Sequence, residues 1–196
     1  ALSRYGKVAL PLFLSQSSGL LTQWPKTVPK PEGTVIDHLQ DLHATHAANT
    51  DIPRAAFPVS SIAAAAAILC NVNHPPGPDN VHRRINPVSR FDGQQVPTLG
   101  IGAFIAGDTS SARLPKPVFT NMKKDLAGNV ILRYRGNLST YTVFSAASVI
   151  QSEIRLQNGQ TPPIKNLSVF KDKYVFFGFS APGLLDLRAT PVDRVN

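Results

Sequence analysis

Lys171-Asp172-Lys173-Tyr174-Val175-Phe176-Phe177-Gly178-Phe179 runs into Ser180-Ala181-Pro182-Gly183-Leu184-Leu185-Asp186 and on to Thr190-Pro191. From Tyr174 to Phe179 the residues are mostly β-branched or aromatic and apolar at both alternating positions, which predicts a central strand covered on both sides. Gly178 is expected to let the backbone pass close to a neighbour, and Pro182-Gly183 is a turn dipeptide in which glycine can take positive φ. Ligands of open α/β sheets collect beyond the carboxyl ends of the strands. Ser180, Asp186, Arg188 and Thr190 are therefore candidate ligand-binding or structural loop residues. The structural alternative is that Asp186 and Thr190 only satisfy loop amides.

Working back towards the N-terminus, elements alternate. Ala1 to Tyr5 reads as the tail of a helix closed by Gly6. Lys7 to Leu14 reads as a first strand whose Pro11 argues for a strand end or an edge. Ser15 to Lys30 is a long loop, an excursion or a flap, and Thr34 to His46 predicts a short helix. Val59 to Leu69 predicts a helix with Ser60 or Ser61 as cap and five consecutive alanines for close packing on a sheet. A hairpin is expected with first arm Val81 to Ser89 and its tip at Asp92-Gly93, followed by a buried helix from Val96 to Ala106. Asn129 to Arg135 predicts a strand. Phe144 to Leu156 predicts a helix capped by Ser145 or Thr142, with Ala146, Ala147, Val149, Ile150 and Ile154 inward and Glu153 and Arg155 outward. The fold class expected is α/β, a mixed central sheet flanked by helices, with an inserted hairpin and long Pro-rich loops. Residues 1–196 are read as one domain, with 15–50 a variable excursion.

Composition bounds what this domain can be. An apolar fraction of 42% with 16% charged residues is that of a globular chain. The longest apolar run, Ile62 to Cys70, is far short of the roughly 20 residues that cross a bilayer. Both ends read as cut from a longer polypeptide. The lone cysteine, Cys70, reads as a small buried hydrophobe and excludes an internal disulfide. The formal charge of +8 comes from scattered lysines and arginines without interleaved aromatics, so nucleic acid is not an expected partner. The basic excess suits anionic lipid headgroups or plain solubility.

Two chemistries compete with a purely binding role. Gly178-Phe179-Ser180-Ala181-Pro182 sets a serine after a strand, as a nucleophile elbow does, but Pro182 stands where that motif needs glycine. The alternative function is thus a serine hydrolase using Ser180, with His38, His43, His46, His74 or His82 as base. Asp41 with His38, His43 and His46 lacks the four-apart histidine pair of a helical zinc site, so no metal and no cofactor are expected.

Several blocks taken in order resemble a known family. These are the alanine-rich run, Asp79-Asn80-Val81-His82-Arg83-Arg84-Ile85, the Asp92-Gly93 tip, Ile131-Leu132-Arg133-Tyr134-Arg135-Gly136, then Lys171 to Gly178 and Ala181-Pro182-Gly183, Asp186 and Thr190-Pro191. Together they resemble the second type of CHASE domain, a cyclase- and histidine-kinase-associated extracellular sensor module. The resemblance implies a non-catalytic, extracytoplasmic sensor of a bacterial inner-membrane protein, tethered by transmembrane helices. Its output would be an adenylate, guanylate or diguanylate cyclase, a histidine kinase or a Ser/Thr kinase. An unknown small ligand or periplasmic partner is implied as input, with a possible homodimer. The family's recurrent residues fall on Asp79, Arg83, Gly178, Gly183, Asp186, Thr190 and Pro191. Asn80 stands where glycine is usual, and asparagine tolerates the left-handed conformation such a turn needs. Arg83 and Asp186 are expected either to bind ligand or to pair with each other.

Overall fold

The computed structural model describes residues 2–31, 51–107, 122–137, 140–178 and 189–192. The chain divides into two compact units, Ala1–Arg133 and Tyr134–Asn196. The architecture is α/β with a mixed sheet.

In the first unit a short helix, α1 (Leu2–Tyr5), stops at Gly6, whose φ of 73° breaks the helical path. Three strands follow: β1 (Ala9–Ser15), β2 (Arg54–Ala56) and β3 (Ile68–Asn71). They form a sheet in the order β2-β1-β3, with β1 antiparallel to β2 and parallel to β3. Pro11 therefore sits on the central strand and not on an edge. The ladder explains why it is tolerated. Val8 and Leu12 turn their carbonyls to the β3 side, towards Ala67 N and Val72 N, so by alternation Pro11 faces the β2 side. There β2 pairs only with Phe13 to Ser15, and the missing N–H costs no ladder bond.

The strand covered on both faces is β3. Ile68, Leu69, Cys70 and Asn71 are all buried. Leu69 packs with Leu12, Leu14, Trp24, Phe91 and Val96, while Ile68 and Cys70 pack with Val88 and Ile105. The alanine-rich run holds only one helical turn, α2 (Ser60–Ala63), before the chain extends into β3. Trp24 and Val28 pin part of the Ser15–Lys30 segment into the core. The indole Nε1 donates to Val28 O at 3.0 Å, and its ring meets Phe57 edge-on at 5.0 Å. The region of Thr34 to His46 lies outside the described residues.

Beyond β3 come β4 (Arg84–Ile85), β5 (Val88–Phe91) and β6 (Gln94–Pro97). The pair β5–β6 turns at Asp92-Gly93, both at positive φ, the geometry that matches strand twist. Asp92 Oδ2 accepts from Trp24 N, and Asp51 joins the turn by accepting from Gly93 N and pairing with Arg90. Helix α3 (Leu99–Gly107) then lies on β3, and β7 (Val130–Ile131) pairs antiparallel with β4. Of the strand expected over Asn129 to Arg135, only β7 forms.

In the second unit α4 (Ala146–Gln157) starts at Ser145, whose Oγ accepts from Ser148 N, and ends at Gly159 in a left-handed cap. Its buried residue is Ser152, not the expected aliphatic stripe: Ile150 is 60% and Ile154 51% exposed. The segment after the helix docks by hydrogen bonding, Ile164 N donating to Ser152 Oγ. The expected closing strand is also absent. Tyr174 to Gly178 belongs to no strand and is exposed, Phe177 by 78%. The described part of this unit contains no sheet for it to join. Hydrophobicity alone marked it as interior.

Packing of α3 against β3 yields a paired test. A Cβ at Gly102 would collide with Cys70 Sγ, whereas one at Gly100 in the same helix meets open space. Gly102→Ala is expected to lower stability by about 1–3 kcal/mol, and Gly100→Ala to raise it by up to about 1 kcal/mol through helix propensity. Urea unfolding of the two variants checks the contrast.

Candidate functional site

Of the two parallel strands β3 ends first, at Asn71 beside Leu12, while β1 runs on to Ser15, and a polar clasp closes their carboxyl edge. Asn71 is the last residue of β3 and is 1% exposed. Its Oδ1 accepts from Leu14 N at 3.2 Å and Asn73 N at 3.0 Å. Its Nδ2 donates to Asn73 O and to Ser89 Oγ, each at 3.2 Å. All four capacities of the amide are filled. Asn73 completes the clasp, its Nδ2 donating to Leu14 O at 2.8 Å. The two asparagines thus carry the sheet's hydrogen bonding one step past the end of β3. His74 follows, its Nε2 3.2 Å from Asn71 O.

The clasp holds a Pro-rich loop at the sheet edge, the region where α/β folds bind ligands. Gly77 N donates to Val81 O and Asn80 N to Gly77 O, closing a turn in which Asn80 takes φ 59°. Asn80 thus takes the left-handed conformation expected of it. Asp79 and Arg83 meet across this turn. Arg83 Nη1 lies 2.7 Å from Asp79 Oδ2 and donates to Oδ1 at 2.8 Å, both side chains about half exposed. The hydrogen bond from Arg83, aided by Val81 N, holds the Asp79 carboxyl below the usual carboxylate range. Arg83 O in turn accepts from Leu132 N, tying the loop's end to the segment after β7.

Of the other candidates, Thr190 is half-buried and Pro191 lies in an exposed turn. Gly178 is exposed, and among the described residues a Cβ there would meet nothing within 4 Å. Ser180, Pro182, Gly183, Asp186 and Arg188 lie outside the described residues, as do His38, Asp41, His43 and His46. Arg83 takes Asp79 as its partner. Asn71, Asn73 and Ser89 carry no signal in the sequence, where His74 reads only as a possible base, because isolated polar residues carry no periodicity and meet only once the strands pair.

Chemically the site is suited to hydrogen bonding. Cys70 beneath it is no nucleophile, since burial pushes the thiol up to about 12. Burial lowers the pKa of His74, the carbonyl of Asn71 opposes that shift, and the charge of His82 adds to it. Among the described residues no cluster of histidine, cysteine or carboxylate could hold a metal ion. No observation favours the hydrolase reading.

The model of the CHASE2 domain family matches residues 9–196. The chain belongs to the CHASE2 family. CHASE2 is an extracellular sensory domain of signalling proteins and is not itself catalytic. No curated protein and no solved structure matches the chain. Among the described residues no helix is long and apolar enough to cross a membrane. In this CHASE2 domain the structure brings Asp79 and Arg83 together.

Two measurements test the clasp. Asn71→Ala strands Leu14 N–H and the Asn73 backbone, and is expected to cost about 2–4 kcal/mol in urea unfolding. For His74, a folded pKa below the ordinary 6.5 means the unfolded chain binds the proton more readily. Stability contributed by the neutral ring is then lost as pH falls below that ordinary value. Between about pH 7 and pH 5 the wild type is expected to lose more stability than His74→Gln, read as the difference in urea midpoints.

Proposed function

We propose that this chain is the extracytoplasmic signal-input domain of a bacterial inner-membrane signalling protein. Its output module is an adenylate or guanylate cyclase, a diguanylate cyclase, a histidine kinase or a Ser/Thr kinase. The observation that carries this reading is the family match over residues 9–196. In this reading the two units serve as one sensor domain, with 15–50 a variable excursion and the β5–β6 hairpin an insertion. Helices flanking the domain tether it to the membrane on its periplasmic side.

The input is a small ligand or a periplasmic partner, met at the loop around Asp79 and Arg83. An exposed ion pair is worth little to stability, so exchanging Asp79 for an anionic or polar ligand group costs the fold little. Beneath the loop, the clasp ties both parallel strands to one rigid edge, which gives a local event at the loop a route into the sheet. Output follows from a shift between two geometries of a homodimer or of the flanking helices. Neither a cofactor nor a nucleic acid enters this scheme, and catalysis belongs to the parent's output module.

The test is output activity of the full-length chain in isolated membranes, wild type against Arg83→Ala and Asn73→Ala. An input role predicts a change of about fivefold or more in basal or stimulated output, the usual scale of coupling between sites. Unchanged output from both folded variants would remove this loop from the signalling path.

A further inference from the structure

A small hairpin in the first unit presents an apolar tip among cations. Lys124 bridges to Val130, Asp125 N donates to Asn129 O, and Gly128, at φ 84°, donates to Asp125 O. The turn is Leu126-Ala127-Gly128, a three-residue connection with glycine in the left-handed position. Leu126 at its tip is 108% exposed. Asp125 fixes the turn, its Oδ1 accepting from Ala127 N and Asn129 N. The hairpin is anchored from below by Val130, which is buried, and by Met122, which packs on the core.

The register puts cations on the exposed face. Ile131 pairs with Arg84 on one side, and its N–H donates to Lys123 O on the other. Cross-strand neighbours point to the same face. Arg84, Ile131 and Lys123 therefore lie in one row, all exposed, and Arg133, two residues beyond Ile131, is exposed as well. Among the described residues Asp125 is the one carboxylate in ion-pair distance of these three cations, 3.3 Å from Arg84 Nε. The face therefore carries net positive charge around two exposed aliphatic side chains.

We propose that this hairpin is a membrane-surface contact: Leu126 enters the boundary between headgroups and acyl chains while Lys123, Arg84 and Arg133 meet anionic phospholipid headgroups. An exposed apolar tip on the hairpin that carries a row of cations matches the two attractions such a surface offers, burial of hydrocarbon and neutralisation of lipid phosphate. A nucleic acid would use the cations but leave Leu126 in water. The proposal rests on the extracytoplasmic, membrane-tethered placement given above, which keeps a bilayer within reach. Vesicle binding and signalling output are separate readouts, so either can fail alone.

The experiment is co-sedimentation of the purified chain with vesicles of phosphatidylglycerol and phosphatidylcholine, against phosphatidylcholine alone. Binding is expected to the anionic vesicles only and to weaken with added salt. Leu126→Asp is expected to weaken it about tenfold or more, and Lys123→Gln with Arg133→Gln about thirtyfold. Lys26→Gln with Lys30→Gln makes the same charge change elsewhere and is expected to leave binding intact. Because Leu126 is fully exposed, its replacement leaves the melting temperature unchanged, and Leu126→Ala gives a second, milder variant. The proposal is overturned by any of four results: no binding to anionic vesicles at low salt, equal loss in both double variants, no effect of Leu126, or capture of duplex DNA in preference to vesicles.

Discussion

The buried carboxamide of Asn71 is the constraint on which the edge of this sheet depends. An amide taken out of water costs several kcal/mol if left unmet, and here both its oxygen and its nitrogen are used twice. A backbone group would have served Leu14 equally well had β3 continued. The side chain instead lets the chain leave the strand, because it reaches Leu14, Asn73 and Ser89 from one fixed point. The sheet ends in order, and the loop that departs is held by the same atoms that end it.

From that point the rest of the first unit follows. With β3 buried on both faces, one core forms around Trp24 and Phe91 and another beneath α3. Gly102 permits the close approach of that helix to Cys70. A floor of this kind gives the loop a defined resting geometry, and the exposed Asp79–Arg83 pair above it can open at low energetic cost. Firm support beneath a weak surface latch is the arrangement on which the proposed input role rests.

Local chemistry was the most readable part of the sequence. Gly6 closes the first helix, Ser145 caps α4 and Asn80 takes the left-handed turn, each because a single residue type answers a single backbone need. Tertiary assignments were harder. The two-faced apolar strand expected at Tyr174–Phe179 exists instead at Ile68–Asn71, hidden by the alanines before it, which favour helix wherever packing does not decide. Pro11 marked an edge by rule, yet the direction of one missing N–H lets it occupy a central strand. Of the candidate site, Asp79 and Arg83 were readable within a block that resembles the family. Asn71, Asn73 and Ser89 were not, and His74 was readable only as a possible base, since their meaning lies in pairing between distant segments.

Native-state hydrogen exchange at Leu14 tests the central claim most directly. If the Asn71 amide acts as the next rung of the sheet, the Leu14 N–H exchanges only through global unfolding, with the same free energy as amides inside β3. Exchange of Leu14 by local fraying, at the rate of the exposed residues that follow Ser15, would contradict the account.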